Sequence, residues 1–270
     1  MWYNFLKIEG LLSMAECQIM DTIIYYRQQG QGDPLVLLHS GLGTGGDFSS
    51  IVPDLVYHYT VFTPDRPGYG RSGHDVSFED GFFSAQAGVL VEFLRSIDRG
   101  PAFLWGWSDG AVVALWMAIL YPEWVRAVVV EAGHLYGRKP AHAFLEQYLL
   151  PASLSVEERT GLAQRHGEEY WPELSKRWAE MWLHLSDRGG DLYKGQLTKV
   201  RTPTLILLAE DDLHIPAQEA RDLAARIRGA RLHLFPNGGH ILHGGTAREQ
   251  CLASVLDFLQ PLSSRQGAPS

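Results

Sequence analysis

The sequence predicts an α/β fold: a mostly parallel central sheet covered by helices on both faces, with a helical cap insertion. Three observations carry this. Short apolar runs of strand length alternate with segments of helical spacing from residue 21 to residue 259. Most of the runs are apolar throughout, as strands covered on both faces must be. One long stretch, 134–198, breaks the alternation and holds no strand candidate.

In chain order, DTIIYYRQQ (21–29) alternates enough for an early strand, and PLVLLHS (34–40) is a buried strand ending in a glycine loop. TVFTPDRP (60–67) is another strand. Residues 79–97 set Phe83, Ala87, Leu90, Val91 and Leu94 at helical spacing. PAFLWGW (101–107) reads as a strand and AVVALWMAILY (111–121) as an apolar helix. VRAVVVEAG (125–133), TPTLILLAE (202–210) and ARLHLFP (230–236) are three more strands, and helices are expected at 217–228 and 246–259. The interrupting stretch, rich in Trp, Tyr, Glu and Arg as in EEYWPELSKRWAEMWLHL, reads as a cap over the sheet's carboxyl edge, where open α/β sheets bind ligands. The expected organisation is a core of 20–133 and 199–262, a cap of 134–198, an N-terminal extension of 1–19 and a flexible tail of 263–270. The extension is read as a short helix or arm packed on the body, or as residues ahead of a true start at Met14 or Met20.

The chain has 270 residues and a net charge of −8. An acidic surface repels phosphate backbones, so nucleic acid is excluded as a partner. No apolar run approaches transmembrane length, so no membrane is expected either. Cys17 and Cys251, the two cysteines, make neither a disulfide framework nor a zinc pattern, and a reducing, cytoplasmic setting is the simpler reading.

Residues 106–110 read GWSDG. A serine hydroxyl needs a base to become a nucleophile, a group to orient that base, and donors aimed at the oxyanion formed on attack. Here a strand runs into Ser108 and a helix follows at once. So abrupt a reversal crowds the backbone, and Gly106 and Gly110 relieve the crowding. The bland alternative is a glycine-flanked serine that merely begins a helix. The Asp109 amide, at the helix start, supplies one oxyanion donor. The loop HSGLGTGGD (39–47) supplies the second, with Gly41 the candidate; otherwise this loop only connects strand to helix. The orienting acid is sought past a later strand, in AEDDLHIP, where Asp212 is best placed and Asp211 stays in play. Glu131 is a fallback acid, or else a neutral contact with rim or cap. The base is His240, on a loop after the last strand; its rival His243 stands where a helix would begin. The order Ser, Asp, His completes the pattern.

With these elements placed, the chain resembles the α/β-hydrolase family from about Thr22 to Leu262. HSGLG resembles its oxyanion loop, with Ser40 where a glycine is usual. DRPGYGRS (65–72) resembles its Asp-x-x-Gly-x-Gly-x-Ser turn, which implies structural roles for Asp65 and Arg66. AEDDLHIP resembles its Gly-x-x-Asp-x-x-x-Pro acid loop, with Ala209 for the glycine, and this points to Asp212. GGHILH resembles its Gly-His-x-x-His ending. Within the family, GWSDG, WVRAVVVEAG and the segments around the acid and base look like the valacyclovir hydrolase-like group, which cleaves esters of α-amino acids. That likeness implies that the Asp109 carboxylate pairs with a substrate ammonium; otherwise it is an acid in a first helical turn. A carboxylate beside an oxyanion hole would, left unpaired, oppose the negative transition state.

The resulting expectation is a serine hydrolase that cleaves a small carboxylic ester through an acyl-enzyme, with no metal and no organic cofactor. The same machinery also serves lactones, C–C bonds or peracids, and a non-catalytic ligand receptor on the same fold is the rival from another class. Trp171, Trp178 and Trp182 of the cap, near one helical face, pack the cap on the body or line an apolar pocket.

Overall fold

The computed structural model describes residues 13–137 and 142–263. The expectations for residues 1–12 and for the tail beyond 263 lie outside them. Among the described residues one sheet contains β1 (Ser13–Ile19), β2 (Thr22–Gln29), β3 (Asp33–Leu38), β4 (Tyr59–Pro64), β5 (Ala102–Trp107), β6 (Val125–Glu131), β7 (Thr204–Ala209) and β8 (Arg231–Phe235). Their spatial order is β1-β2-β4-β3-β5-β6-β7-β8. β1, β2 and β4 pair antiparallel; from β4 to β8 every pairing is parallel. The helices are α1 (Val52–Leu55), α2 (Phe82–Ser96), α3 (Asp109–Leu120), α4 (His142–Leu149), α5 (Val156–His166), α6 (Trp171–Arg188), α7 (Ala217–Arg226) and α8 (Arg248–Leu259).

One expectation needs correction. Residues 13–19 are neither helix nor arm but the edge strand β1, joined to β2 by a turn at Met20 and Asp21. The strand signal is alternation: Ala15, Cys17 and Ile19 turn inward, while Met14, Glu16 and Gln18 stay exposed. Among the described residues no helix is long and apolar enough to cross a membrane.

β4, β5 and β7 are buried at every position, which is why their sequences show runs rather than alternation. α3 is buried from Asp109 through Ile119, so it is apolar on all sides and lacks a polar stripe. α2 packs beside it, and α7 and α8 pack on β7. Between β6 and β7 the chain leaves the sheet to form α4, α5 and α6. α5 opens with a capping box, in which Ser155 and Glu158 satisfy each other's backbone amides.

The passage from β5 to α3 dictates its own glycines. Ser108 sits at φ 54°, ψ −118°, a backbone conformation rarely adopted by residues with a side chain. A Cβ at Gly110 would lie 2.0 Å from the Leu38 carbonyl oxygen and 2.6 Å from that of His39. One at Gly106 would lie 2.3 Å from the Gly110 carbonyl oxygen. Both obstacles are backbone, so neither can rotate away, and the absent side chains let α3 start directly over the ends of β3 and β5. Gly110→Ala is therefore expected to cost about 3 kcal/mol of unfolding free energy by overpacking. Urea unfolding of parent and variant measures this, and equal midpoints would mean that β3 can retreat.

Candidate active site

The Ser108 turn projects a nearly buried hydroxyl over the carboxyl edge of the sheet. The Ser108 amide donates to the Glu131 carbonyl at 2.9 Å, which ties the turn to the end of β6. His240 Nε2 lies 3.1 Å from Ser108 Oγ, and His240 Nδ1 lies 2.8 Å from Asp212 Oδ2. Ser108, His240 and Asp212 thus form one continuous hydrogen-bonded chain. Since the Asp212 carboxylate only accepts, Nδ1 carries the proton and Nε2 is left to accept from the serine.

Of the three acids in a row, only Asp212 reaches the imidazole. Its other oxygen accepts the amides of His214 at 2.7 Å and Ile215 at 3.1 Å. Burial works to raise the Asp212 carboxyl, but the hydrogen bond and charge of His240, with those two amides, hold it below the usual range. Asp211 instead accepts the Gly239 amide at 2.9 Å and steadies the loop before His240. Glu210 is exposed beside Arg221. On the other side, Trp107 Nε1 donates to the His240 carbonyl at 2.8 Å.

Glu131 is neither an acid for His240 nor a neutral rim contact. It is fully buried, as is His243. Oε1 accepts the amides of Leu242 and His243 at 2.8 and 3.1 Å, and Oε2 accepts Trp105 Nε1 at 2.8 Å. His243 Nδ1 lies 2.8 and 2.9 Å from the two oxygens. Burial pushes the Glu131 carboxyl up, but the charge and hydrogen bonds of His243 and the Trp105 bond outweigh it, so it is held below its ordinary value. Burial pushes His243 down, and Glu131 more than offsets this, so His243 is held above its ordinary value. The result is a buried ion pair beneath the turn that carries His240. α8 begins only at Arg248, so His243 lies in that turn and not at a helix start.

Gly41 and Asp109 line one cavity of about 600 Å³ together with Ser108 and His240. Neither of their amides donates to a described residue. A Cβ at Gly41 would come 2.4 Å from Trp178 Nε1 and 2.8 Å from Asp109 Oδ2, so glycine is what lets the cap close here. The next residue, Leu42, has φ 55°. Arg66 fixes the loop from below. It is fully buried and donates from Nε to the His39 carbonyl at 3.1 Å and from Nη2 to the Ser40 carbonyl at 2.9 Å. From above, His166 of α5 accepts the Gly70 amide at Nδ1 (2.9 Å), which leaves Nε2 to donate to the Leu42 carbonyl at 2.9 Å. Burial pushes the His166 ring down to about 4, which keeps it neutral as this acceptor role requires.

The Asp109 carboxylate is buried under the cap. Its Oδ2 accepts Trp178 Nε1 at 2.9 Å and Trp182 Nε1 at 3.3 Å. Burial raises the Asp109 carboxyl, and the Arg66 charge and the two indoles counter only part of that rise. Trp178 and Trp182 therefore line the cavity with a polar edge, while Trp171 is buried outside its lining. Sequence reasoning missed that polar role, and it also passed over His134 and His214, which line the same wall. The spacing of the tryptophans on α6 was the available signal.

Glu131→Gln is expected to cost about 3 kcal/mol of stability, because glutamine offers one acceptor oxygen to a cage of donors and leaves His243 without its counter-charge. The pH dependence has two edges. The lowered Glu131 pKa gives stability that is complete above the ordinary glutamate value and lost as pH falls through the folded value. The raised His243 pKa gives stability that is complete below the ordinary histidine value and lost as pH rises through the folded one. The parent-minus-variant difference should therefore be widest between about pH 4.5 and 6.5. Denaturant titrations across pH test it, and a flat difference would deny the ion pair.

A family model described as "Alpha/beta hydrolase family" matches residues 35–253. The chain is 31% identical over 257 residues to serine hydrolase BPHL of Homo sapiens, covering 92% of this chain and 87% of that protein. It is 26% identical over 243 residues to the 2-hydroxy-6-oxo-6-phenylhexa-2,4-dienoate hydrolase of Burkholderia cepacia, covering 80% of this chain and 84% of the relative. Among solved structures, the esterase EaEST from Exiguobacterium antarcticum is similar with a TM-score of 0.73 at 20% identity, over 92% of this chain and 100% of that one. The match to the family model, the level of identity to BPHL and the sheet with its serine turn agree: the chain belongs to the α/β hydrolase family and is a hydrolase.

Proposed function

We propose that the chain hydrolyses a small carboxylic ester through an acyl-enzyme on Ser108. The observation that carries this reading is the hydrogen-bonded chain from Asp212 through His240 to Ser108 at the wall of the cavity. His240 takes the serine proton as Oγ attacks the ester carbonyl carbon. Asp212 holds the imidazole in the tautomer that accepts at Nε2, and stabilises the imidazolium that forms. The Gly41 and Asp109 amides donate to the oxyanion. His240 then protonates the leaving alcohol, and water repeats the sequence on the acyl-enzyme.

The preferred ester carries an α-ammonium group. Asp109 supports this reading, because a carboxylate kept in a cavity wall among apolar side chains is otherwise a costly choice. Its two indole partners and the buried Arg66 temper its charge, and a bound ammonium would complete the compensation. The relative from Burkholderia cepacia, whose name describes a different hydrolytic substrate, favours one second reading, a C–C bond hydrolase on the same serine chemistry.

Ser108→Ala is expected to lower ester turnover by about 10⁴-fold or more, read with any ester the parent cleaves. Retained turnover would end the acyl-enzyme reading. Asp109→Asn keeps an acceptor for the indoles but removes the charge. On a phenyl ester of an amino acid it should lower kcat/KM by about 10- to 100-fold more than on the des-amino ester, the range for a lost charged hydrogen bond. In the parent, the amino/des-amino ratio of kcat/KM should fall with decreasing pH as Asp109, its pKa raised by burial, takes up a proton. Taking the ratio cancels the shared titration of the base. Equal losses on both esters would remove the ammonium subsite and leave the serine chemistry standing.

A further inference from the structure

A second imidazole stands at the nucleophile. His134 Nε2 lies 3.4 Å from Ser108 Oγ, and the ring lines the same cavity as His240. The chain reaches this place through unusual backbone. Ala132 is a non-glycine residue at φ 47°, and a Cβ at Gly133 would meet Val130 Cγ1 at 2.5 Å. Strain of this kind persists only where the surroundings over-determine it, and it clusters at working sites. The surroundings here are rigid. The His134 carbonyl accepts the hydroxyl of the buried Tyr193 at 2.9 Å. The amides of Leu135 and Tyr136 donate to Glu219 Oε1 at 2.6 and 2.9 Å. The ring itself packs against Trp182, centroid to centroid 4.8 Å.

We propose that His134 is a second catalytic donor at the serine oxygen, an inference that rests on the serine chemistry proposed above. Its Nε2–H donates to an Oγ lone pair while the Oγ–H donates to His240 Nε2. His134 transfers no proton. As Oγ gives its proton to His240 and attacks, negative charge grows on Oγ, and the second N–H stabilises it. In deacylation the bond from Oγ to the acyl carbon breaks, charge grows on Oγ again, and His240 returns the proton. A hydrogen bond to a charged oxygen is about twice as strong as one to a neutral oxygen. The long contact of the resting site is therefore the kind that tightens as charge develops.

The test compares the parent with His134→Phe, which keeps a ring against Trp182, and His134→Gln, which keeps an N–H donor. p-Nitrophenyl acetate reports the acylation burst and the steady state. His134→Phe should slow both acylation and deacylation by about 10- to 100-fold, the scale of a removed oxyanion donor, with KM nearly unchanged; His134→Gln should recover most of each. A His134→Phe protein with parental rates, equal losses in both variants, or a loss confined to KM would overturn the proposal. Labelling of parental Ser108 by a fluorophosphonate separates the two readings. Labelled serine with indifferent His134 variants sinks only this proposal, whereas an unlabelled serine sinks the serine chemistry and this proposal with it.

Discussion

One buried carboxylate fixes how the turns that carry Ser108 and His240 stand to each other. Glu131 ends β6, and the amides of Leu242 and His243, the His243 ring and the Trp105 indole all converge on it. The turn that carries His240 has no sheet hydrogen bonds of its own. Without Glu131 its buried amides would face apolar side chains, at a cost comparable to several lost hydrogen bonds. The backbone of the same residue accepts the Ser108 amide. Ser108 and His240, 132 positions apart in the chain, are therefore referenced to one residue outside the cavity lining.

Around the loop that bears Gly41 the constraint is electrostatic. The side chain that opens α3 beside Ser108 is a buried carboxylate, whose charge needs compensation. The structure compensates with the guanidinium of Arg66 beneath the loop and two indole N–H groups from the cap. Those indoles come from α6, so the cap itself supplies part of the compensation. Arg66, expected to be structural, is structural in this stronger sense: it orients the carbonyls of His39 and Ser40 and so turns the following amides toward the cavity.

The fold was legible because its signals are local. Runs such as TLILLA and FLWGW are the length and composition of strands covered on both faces, and Gly106 and Gly110 announce the crowded turn after the second. The edge strand β1 was less legible, because its alternation is carried by small or polar residues and only Ile19 is fully buried. At the site, order along the chain was enough to name His240 as a side chain that meets Ser108. It could not separate Asp211 from Asp212 by physics alone, since both are short acids on one loop and only the turn geometry decides which reaches the imidazole. Nor could it foresee Glu131 on His243, the indoles on Asp109, or His134 at Ser108. Each of those depends on tertiary placement across 26 to 112 positions; the spacing of the tryptophans on α6 signalled a shared face but not the partner it meets.

His166 has a consequence for how molecules enter and leave. Its ring is a rivet between the cap and the body, receiving from Gly70 and giving to Leu42. Lifting α5 would strip a partner from both backbone groups and unseat the loop that bears Gly41. α5 is thereby tied both to the Gly70 turn and to the loop that bears Gly41. Elsewhere on the cavity wall, Phe144, Leu213 and Ile241 stand exposed. The solvent-facing lip of the cavity is therefore apolar, while the Asp109 carboxylate lies buried within it.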